Sequence, residues 1–470
     1  MRLGACFPPL PHAACPATRG GACWQPFICG GILGGNGTVD SAARARVNAA
    51  AGITRWPRRH IVVGLTFLGC IIAFTDRVNI SVAAVAMKEH FGWSQTEKGF
   101  VLAAFFVGYL LFMFAAGLLA TRFGGKRVLG CSVLAWSIFT LLTPAAAMFS
   151  ITVLIAARIA MGVGEAGMFP AAFELFGRWV PPMERARAVA RMNSGIPAGT
   201  LIGLMGSGWL VERYGWPMAF YAFGAVGLLW AIVWFQQVSN DPVTDSRIDA
   251  EERKLLWTAR PATELVTRVP LRRLLLRAPV LAIVVAHFAN AWNVYLLLSW
   301  LPSYFRDVHS LSIANAGLFS AAPWLVMLVA TNIAAMVSDR MIQRGVGLAT
   351  TRKLMQCAGL VASAGFLFWL REAHSPAAAL LLLCAATGAL ACTWSGFGPG
   401  ILDVAPRHGG LLMGFSNTFA QIPGIIGVAV TGWLVDVTGT YSAAFVLAAI
   451  VSAAGALIFG LLFDARPIVD

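Results

Sequence analysis

The sequence predicts an all-α membrane protein of twelve transmembrane helices in two six-helix bundles, and three observations predict it. First, 58% of its 470 residues are hydrophobic and 12% are charged, where a soluble domain carries about 25% charged residues. Second, apolar runs of the roughly 20 residues needed to cross a hydrocarbon core recur from His60 to Phe463. Third, basic residues gather in every second interval between those runs. The net charge of +14 would suggest nucleic acid in a soluble chain. Here its alternation follows the positive-inside rule instead, so no nucleic-acid partner is expected and the lipid bilayer is.

Taken in order, residues 1–55 hold four of the nine cysteines, many Gly and Pro, and Asp40 as the one acid. With no sustained apolar period, this stretch is expected to be a disordered N-terminal extension. Its arginines and shortage of acids fit an organellar transit peptide; its shortage of Ser fits a misassigned start codon instead. Residues 56–238 form the first bundle, with spans near 60–86, 98–120, 127–148, 150–173, 187–211 and 217–237. Residues 239–277, with Asp245, Glu251, Glu252, Arg253 and Lys254, read as a water-exposed, cytoplasmic middle loop. Residues 278–470 form the second bundle, with spans near 278–301, 313–337, 352–370, 376–402, 410–434 and 441–463.

Basic clusters fall at Arg122/Lys126/Arg127, Arg178/Arg185/Arg187, Arg247 to Arg277, Arg340/Arg344/Arg352/Lys353 and Arg407. These are alternate loops, so the span number is even and both termini are expected in the cytoplasm. Cys70, Cys131, Cys357, Cys384 and Cys392 lie in spans and read as small apolar fillers; no disulfide framework, zinc spacing or other metal site is expected. No nucleophile and base constellation or phosphate loop is found, so neither an enzyme nor a cofactor is expected.

Two halves of six spans suggest the internal repeat of secondary transporters. The loop Gly117 to Arg127, with Arg122, Gly124 and Lys126, follows span 2; Ser338-Asp339-Arg340 with Arg344-Gly345 follows span 8. Both occupy the equivalent basic loop, where Gly allows close helix approach and basic side chains meet helix-terminal carbonyls.

Asp76 and Arg77 interrupt span 1, at a cost of at least about 2.5–3.5 kcal/mol each at mid-membrane, so they face the protein interior or water. Neighbours on a helix diverge by about 100°, so the two address different partners. Arg158 and Glu165 are seven residues apart, about 10.5 Å along one face of span 4. Spans 1 and 4 should therefore meet through these four groups, whose charges sum to zero. They serve either as internal ion pairs or as a site for a small anion. Tyr109, His287, Asn290, Asn293, Tyr295, Ser395, Asn417 and Thr418 are further polar groups in spans, each able to make an interhelical hydrogen bond. Trp300-Leu-Pro302 with Tyr304 reads as an interfacial end of span 7.

Gly117-x-Leu-x-x-Arg122-x-Gly124-x-Lys126-Arg127 resembles the loop signature of the major facilitator superfamily, and the whole architecture fits it. Asp76-Arg77-Val-Asn79-Ile-Ser81, Arg158-x-x-x-Gly162-x-Gly164-Glu165-Ala-Gly-x-Phe169-Pro170, Leu298-Ser-Trp300-Leu-Pro302-x-Tyr304-Phe305, Asp403-x-Ala-Pro406 and Gly414-Phe-Ser-Asn417-Thr418 with Pro423-Gly424 resemble the anion:cation symporter family. The resemblance implies the major facilitator fold and a secondary active transporter: proton-coupled or sodium-coupled symport of a small organic anion, a carboxylate or sugar acid, by alternating access. An anion exchanger or exporter, a phosphate carrier and a transport-like sensor are the alternatives.

The resemblance further implies substrate contact by Arg77, Arg158, Tyr109, Asn417 and Phe74. Cation coupling falls to Glu165 first and Asp76 second, and gating to the loops around Gly117, Arg122, Gly124, Lys126, Arg127, Asp339 and Arg340. A monomer in the bacterial inner membrane is expected. Two residues depart from the family. Thr121 stands where an acid is usual, removing a carboxylate that bridges helices. Phe74 replaces a Tyr of the sugar-acid carriers and loses its hydroxyl.

Overall fold

The computed structural model describes residues 56–258, 276–405 and 409–468. The expected extension 1–55, part of the middle loop, and Pro406 and Arg407 lie outside the described residues. Spans 1, 2 and 3 are α1 (Arg58–Phe91), α2 (Gln95–Phe123) and α3 (Gly125–Phe149). Span 4 is broken into α4 (Ile151–Glu165) and α5 (Met168–Trp179), and α6 (Pro182–Asn193) lies in the connection to span 5. Spans 5 and 6 are α7 (Gly195–Tyr214) and α8 (Trp216–Gln237), and α9 (Ala250–Thr258) lies in the middle loop. Spans 7, 8 and 9 are α10 (Ala278–His309), α11 (Ile313–Gln343) and α12 (Leu348–Trp369). Span 10 is α13 (Pro376–Ala391) continued through a 3-10 turn at Cys392–Ser395 into α14 (Phe397–Val404). Spans 11 and 12 are α15 (Gly409–Thr438) and α16 (Ser442–Leu462).

Among the described residues, eleven of these spans are long and apolar enough to cross a membrane by length and composition. The twelfth, α7, has 20 residues and carries Gly195, Gly199, Gly203, Gly206 and Gly208, which dilute its hydropathy while letting it press against neighbours. A Cβ at Gly199 would lie 2.4 Å from the Ile71 carbonyl oxygen, and one at Gly203 would lie 2.3 Å from Val78 Cγ2.

Local chemistry sets several ends. Ser94 and Glu97 form a capping box at α2, with Glu97 N–H donating to Ser94 Oγ at 3.0 Å and Ser94 N–H to Glu97 Oε2 at 2.8 Å, which satisfies two amides a helix start leaves orphaned. Ser150, Ser312 and Ser375 cap α4, α11 and α13 in the simpler way. Gly92 ends α1 with φ 70°, and Gly124 and Gly345 take φ 83° and 88° after spans 2 and 8, a conformation that penalises any Cβ. The two equivalent basic loops thus share a left-handed glycine.

Three expected boundaries change. Span 5 does not begin near 187: Arg187 and Arg191 are exposed on α6, and the chain turns at Ser194 before α7 enters. Span 7 does not end at 301; Pro302 sits inside α10, which runs on to His309. The described part of the middle loop is docked rather than loose. Glu252 accepts the backbone N–H of Arg58 at 2.9 Å and of Arg59 at 3.0 Å, and pairs with the Arg59 guanidinium at 3.1 Å. Its carboxylate therefore caps the positive end of α1 from a distant segment. Arg59 also pairs with Glu184 of α6 at 3.0 Å.

The repeat is visible in the packing. Extensive contacts join spans 1 and 5, 2 and 4, 3 and 4, and 3 and 6 in the first bundle; spans 7 and 11, 8 and 10, 9 and 10, and 9 and 12 repeat them in the second. Between bundles, span 2 packs on span 11, span 5 on span 8, and span 1 on span 7. The span 2 and span 4 crossing is the tightest: a Cβ at Gly108 would stand 1.9 Å from the Ile159 carbonyl oxygen and one at Gly162 would stand 2.0 Å from that of Phe105. Close backbone approach of this kind drives helix association in lipid.

The bundles meet at the end opposite the basic loops. There Asp436 of α15 accepts the N–H groups of Gln95 (2.9 Å) and Thr96 (2.6 Å), and Gln95 Nε2 donates to Asp307 of α10 at 2.9 Å. Arg306 donates to Glu89 at 3.2 Å, and the Ala314 N–H to Glu212 at 2.6 Å. Toward the basic loops α2 and α15 part: beyond the Asn417 to Met113 contact at 3.5 Å, positions Gly117, Gly410 and Gly414 have open space beside them. The expectation that Gly117 allows close helix approach is therefore not met in this arrangement. The described structure is open at the basic-loop end and closed at the other.

Two outcomes follow from these contacts. Gly108→Val and Gly162→Val should each cost about 3 kcal/mol or more, the upper end of overpacking penalties, because backbone atoms block the new methyls. Gly117→Ala should leave the melting temperature unchanged, and thermal unfolding of the detergent-purified protein compares the three. In the docked loop, burial raises the pKa of Asp245, but hydrogen bonds and charge from Arg247, with Arg58, outweigh it and hold the carboxyl below its usual range. That contribution is present above the ordinary Asp pKa of about 3.9 and is lost as pH falls through the lower folded value. Hydrogen exchange at the Arg247 N–H, which donates to Asp245 Oδ1 at 2.9 Å, should stay protected at pH 5 and open only in stronger acid.

Candidate functional site

Asp76 and Arg77 lie near the middle of α1 and diverge as helix geometry requires. Asp76 is 0% exposed; its Oδ2 accepts the Trp136 indole N–H from α3 at 3.2 Å, and its Oδ1 has no donor among the described residues. Arg77 turns the other way. Its Nε donates to Glu165 Oε1 at 3.0 Å, and its Nη2 bonds the same oxygen. Glu165 Oε2 is left without a partner among the described residues. Helices α1 and α4 are thus joined by long side chains rather than by a backbone crossing.

Glu165 owes its position to the break in span 4. Helix α4 stops at Glu165 and α5 starts at Met168. A Cβ at Gly167 would lie 2.2 Å from Ser132 Oγ, and one at Gly164 would lie 3.0 Å from the Trp136 backbone nitrogen. The two glycines let α3 close on the break, so Trp136 reaches Asp76 while Glu165 reaches Arg77.

Aromatic rings form the rest of the wall. The Arg77 guanidinium lies 4.5 Å from the Phe74 ring centroid, 5.0 Å from Phe105 and 5.1 Å from Tyr109. Arg158 is 1% exposed and stands 5.6 Å from the same Phe105 ring. Its Nη1 is 2.9 Å from Met161 Sδ, a weak acceptor, and its Nε is unpartnered among the described residues. Cation–π contacts of this kind are worth about 2 kcal/mol once desolvated. Two guanidiniums therefore share one ring, one firmly paired and the other held by soft contacts.

Across the seam, Tyr295 O–H donates to Gln421 Oε1 at 2.9 Å, Gln421 Nε2 donates to Asn417 Oδ1 at 3.3 Å, and Asn417 Nδ2 reaches Met113. The Tyr295 ring packs 4.5 Å from Phe106, whose neighbour Phe105 lies beneath both arginines. Tyr109, Tyr295 and, through Gln421, Asn417 are thus brought near the charge set, Tyr295 close enough to feel the Arg77 charge. The other polar candidates are not. His287 Nδ1 is 2.9 Å from Ser416 Oγ, Asn290 Oδ1 accepts from Thr393 at 2.8 Å, and Asn293 donates to Ser452 at 2.8 Å. Thr418 bonds the Gly414 carbonyl on an exposed face. His287, Asn290 and Asn293 make the bond between spans that is their simpler expectation, whereas Thr418 bonds only within its own helix. Trp300 bonds the Val428 carbonyl at 3.1 Å.

The loop residues separate into anchors and free ends. The Lys126 N–H donates to Asn240 Oδ1 at 3.0 Å and its carbonyl accepts the Trp234 indole at 2.9 Å, while Gly124 packs on Asn240. Arg122, Arg127, Asp339 and Arg340 are exposed, and Thr121 bonds the Leu118 carbonyl at 2.8 Å. Arg352, expected as a loop cation, is instead buried in α12. It donates to Asp403 at 2.8 Å, Ser338 Oγ at 3.1 Å and the Ser395 carbonyl at 3.3 Å. In the first bundle Glu174 takes the matching place at the end of span 4, accepting the Gly125 N–H and the Arg178 Nε, both at 2.5 Å. Cys131, read as a small apolar filler of its span, is exposed on α3 and lines a groove with Phe112 of α2 and Val163 of α4.

Glu174, Trp136 and Phe105 were not singled out from the sequence. Phe105 carried a signal, since it lies four residues before Tyr109 on one helix face. Trp136 carried none, being one apolar residue among many in its span.

The family model of the Major Facilitator Superfamily matches residues 66–428. The chain is 36% identical over 439 residues to "Probable anion transporter 1, chloroplastic" of rice, covering 93% of this chain and 82% of that protein. It is 34% identical to "Sodium-dependent phosphate transport protein 1, chloroplastic" of Arabidopsis thaliana (94% and 86% covered) and 34% identical to the "Ascorbate transporter, chloroplastic" of the same plant (90% and 78%). Among solved structures, an inward-facing, occupied bacterial homologue of the human lysosomal transporter Spinster superposes with TM-score 0.71 at 18% identity, covering 87% of this chain and 97% of that one. A D-xylose-proton symporter superposes with TM-score 0.70 at 15% identity, covering 87% and 99%. These two likenesses show the shared fold.

The pairing in the site has a measurable signature. Removing one partner of a buried ion pair costs about 3–5 kcal/mol, whereas replacing both with apolar residues of similar volume is far milder. Glu165→Met and Arg77→Met should each lower the melting temperature sharply, and the double variant should recover most of the loss in a thermal double-mutant cycle.

Proposed function

The chain belongs to the Major Facilitator Superfamily and is a multi-pass membrane transporter, and from that premise we propose that it carries a small anion by cation-coupled symport, the proton favoured as the coupling ion. The substrate class is an organic anion such as a carboxylate or sugar acid, and the names of the relatives add phosphate and ascorbate to the range. The observation that carries the reading is the buried set Arg77, Glu165, Arg158 and Asp76. It is neutral in sum, yet one guanidinium is only softly held and, among the described residues, each acid keeps an oxygen without a partner.

Arg158 is the open anion contact, and Arg77 is the second, released when substrate competes with Glu165. Phe74, Tyr109 and Asn417 line the same place. A bound monoanion brings the ionised set to −1, and crossing the occluded state with that charge in a low dielectric is unfavourable. A proton on Glu165, freed from its arginine, cancels it; Asp76 is the second acceptor. Substrate and proton are then coupled by desolvation, while the bundles rock about the site. The present arrangement, open toward the basic loops, is one end of that cycle, and the loops around Gly117, Arg122, Gly124, Lys126, Arg127, Asp339 and Arg340 close it in the other.

A sodium ion in place of the proton is the second reading, favoured by the name of the Arabidopsis relative, a sodium-dependent phosphate transport protein. Exchange or export uses the same site in reverse. By the positive-inside rule the basic loops face the cytoplasm and both termini with them. The sequence suggests a bacterial inner membrane, whereas the relatives are named as chloroplast proteins; a fluorescent fusion separates the two. We take the monomer as the working unit.

Glu165→Gln keeps a hydrogen-bonding partner for Arg77 and removes the titratable group. In proteoliposomes it should abolish accumulation driven by a pH gradient while leaving substrate counterflow within a few-fold of wild type. Undiminished accumulation would remove Glu165 from the coupling role.

A further inference from the structure

Lys98 is 0% exposed and stands outside the charge set around Arg77. Its Nζ donates to Ser303 Oγ at 3.0 Å and lies 4.9 Å from the Trp300 ring, both on α10 of the other bundle. Lys98, Phe105 and Tyr109 are spaced by seven and four residues, so they share one face of α2. Lys98 is about 10.5 Å along the helix from Phe105, toward the closed end. Phe105 is the ring beneath both Arg77 and Arg158. One face of one helix therefore leads from a cation at the closed end to the paired cations inside.

Beyond Ser303 and Trp300, the charged groups of the closing seam, Asp307, Asp436, Glu89 and Lys88, act on Lys98 through space rather than by a direct bond. Asp307 lies one turn beyond Ser303 on α10 and accepts from Gln95 Nε2 (2.9 Å) and Tyr441 O–H (2.7 Å). Asp436 bonds the N–H of Gln95 at 2.9 Å, three residues before Lys98. An ammonium taken out of water costs several kcal/mol before its partners offset that, and an apolar side chain would seal α2 to α10 without that cost. A charge here is useful when the seam parts, because its partners Ser303 and Trp300 leave with the other bundle.

We propose that Lys98 is the outer anion-binding residue of the pathway. When the closed end opens, its ammonium exchanges Ser303, Trp300 and the seam carboxylates for the carboxylate or phosphate group of the substrate, two helical turns before Arg77 and Arg158. This rests on the anion-transport reading above. Once that reading holds, the site acts on one face only, which gives it a distinct signature.

The test uses the full chain in proteoliposomes, as wild type, Lys98→Gln and Lys98→Arg. Initial uptake rates of phosphate, ascorbate and gluconate are measured separately from each face. Lys98→Gln should raise KM about tenfold from the closed-end face, the loss of about 1.4 kcal/mol of binding, and leave KM from the basic-loop face unchanged; Lys98→Arg should restore most of the affinity. In the wild type, a membrane-impermeant amine reagent added at the closed-end face should label Lys98 more slowly when the transported anion is present. An equal KM change on both faces, or a change in kcat alone, would make Lys98 a seam residue and overturn the proposal, as would anion-insensitive labelling. Wild-type vesicles that move none of the three anions would overturn the transport reading and the entry site together.

Discussion

Charge held away from water is the constraint on which this molecule turns. A helix can cross lipid because its backbone bonds are internal, but Asp76, Arg77, Arg158 and Glu165 bring four formal charges into that environment. Their burial fixes much else. Span 1 must reach both α3 and α4, span 4 must break where Glu165 can meet Arg77, and Gly164 and Gly167 must admit the helix that carries Trp136. The aromatic face of α2 then supplies contacts that neither acid provides.

The same constraint explains the two ends. At the closed end most bonds between bundles pair a carboxylate with an amide, a hydroxyl, a guanidinium or a helix start, and Lys98 meets the Ser303 hydroxyl, so separation exposes groups that water satisfies readily. At the basic end the acids Glu174 and Asp403 are bonded within their own bundles. Those bonds stiffen each bundle and leave the gap between them free to open or close. The repeat makes this economical: the same place at the end of spans 4 and 10 carries an acid, and the same loop after spans 2 and 8 turns on a left-handed glycine.

Hydrophobic length, charge alternation and the spacing of Arg158 and Glu165 follow from local chemistry, and so the spans, the two halves and the four buried charges were legible in the sequence. The start of span 5 was not. Arg187 and Arg191 belong to a separate short helix, α6, and the turn at Ser194 that divides it from the glycine-rich α7 has no local signal strong enough to mark it. Arg352 reads as one more basic loop residue until Asp403 and Ser338 are brought to it from other helices.

Sequence alone determined that the chain lives in a membrane, that its helices come in two sets of six, and that spans 1 and 4 hold charges that cannot face lipid, because hydropathy and the cost of burying charge act on each span separately. Tertiary structure decided who pairs with whom: Arg77 with Glu165, Asp76 with Trp136, Arg158 with little more than an aromatic ring and a thioether. It also decided which end is shut. These are matters of three-dimensional neighbourhood, settled by glycine faces and helix crossings between segments tens to hundreds of residues apart, and no local pattern encodes them.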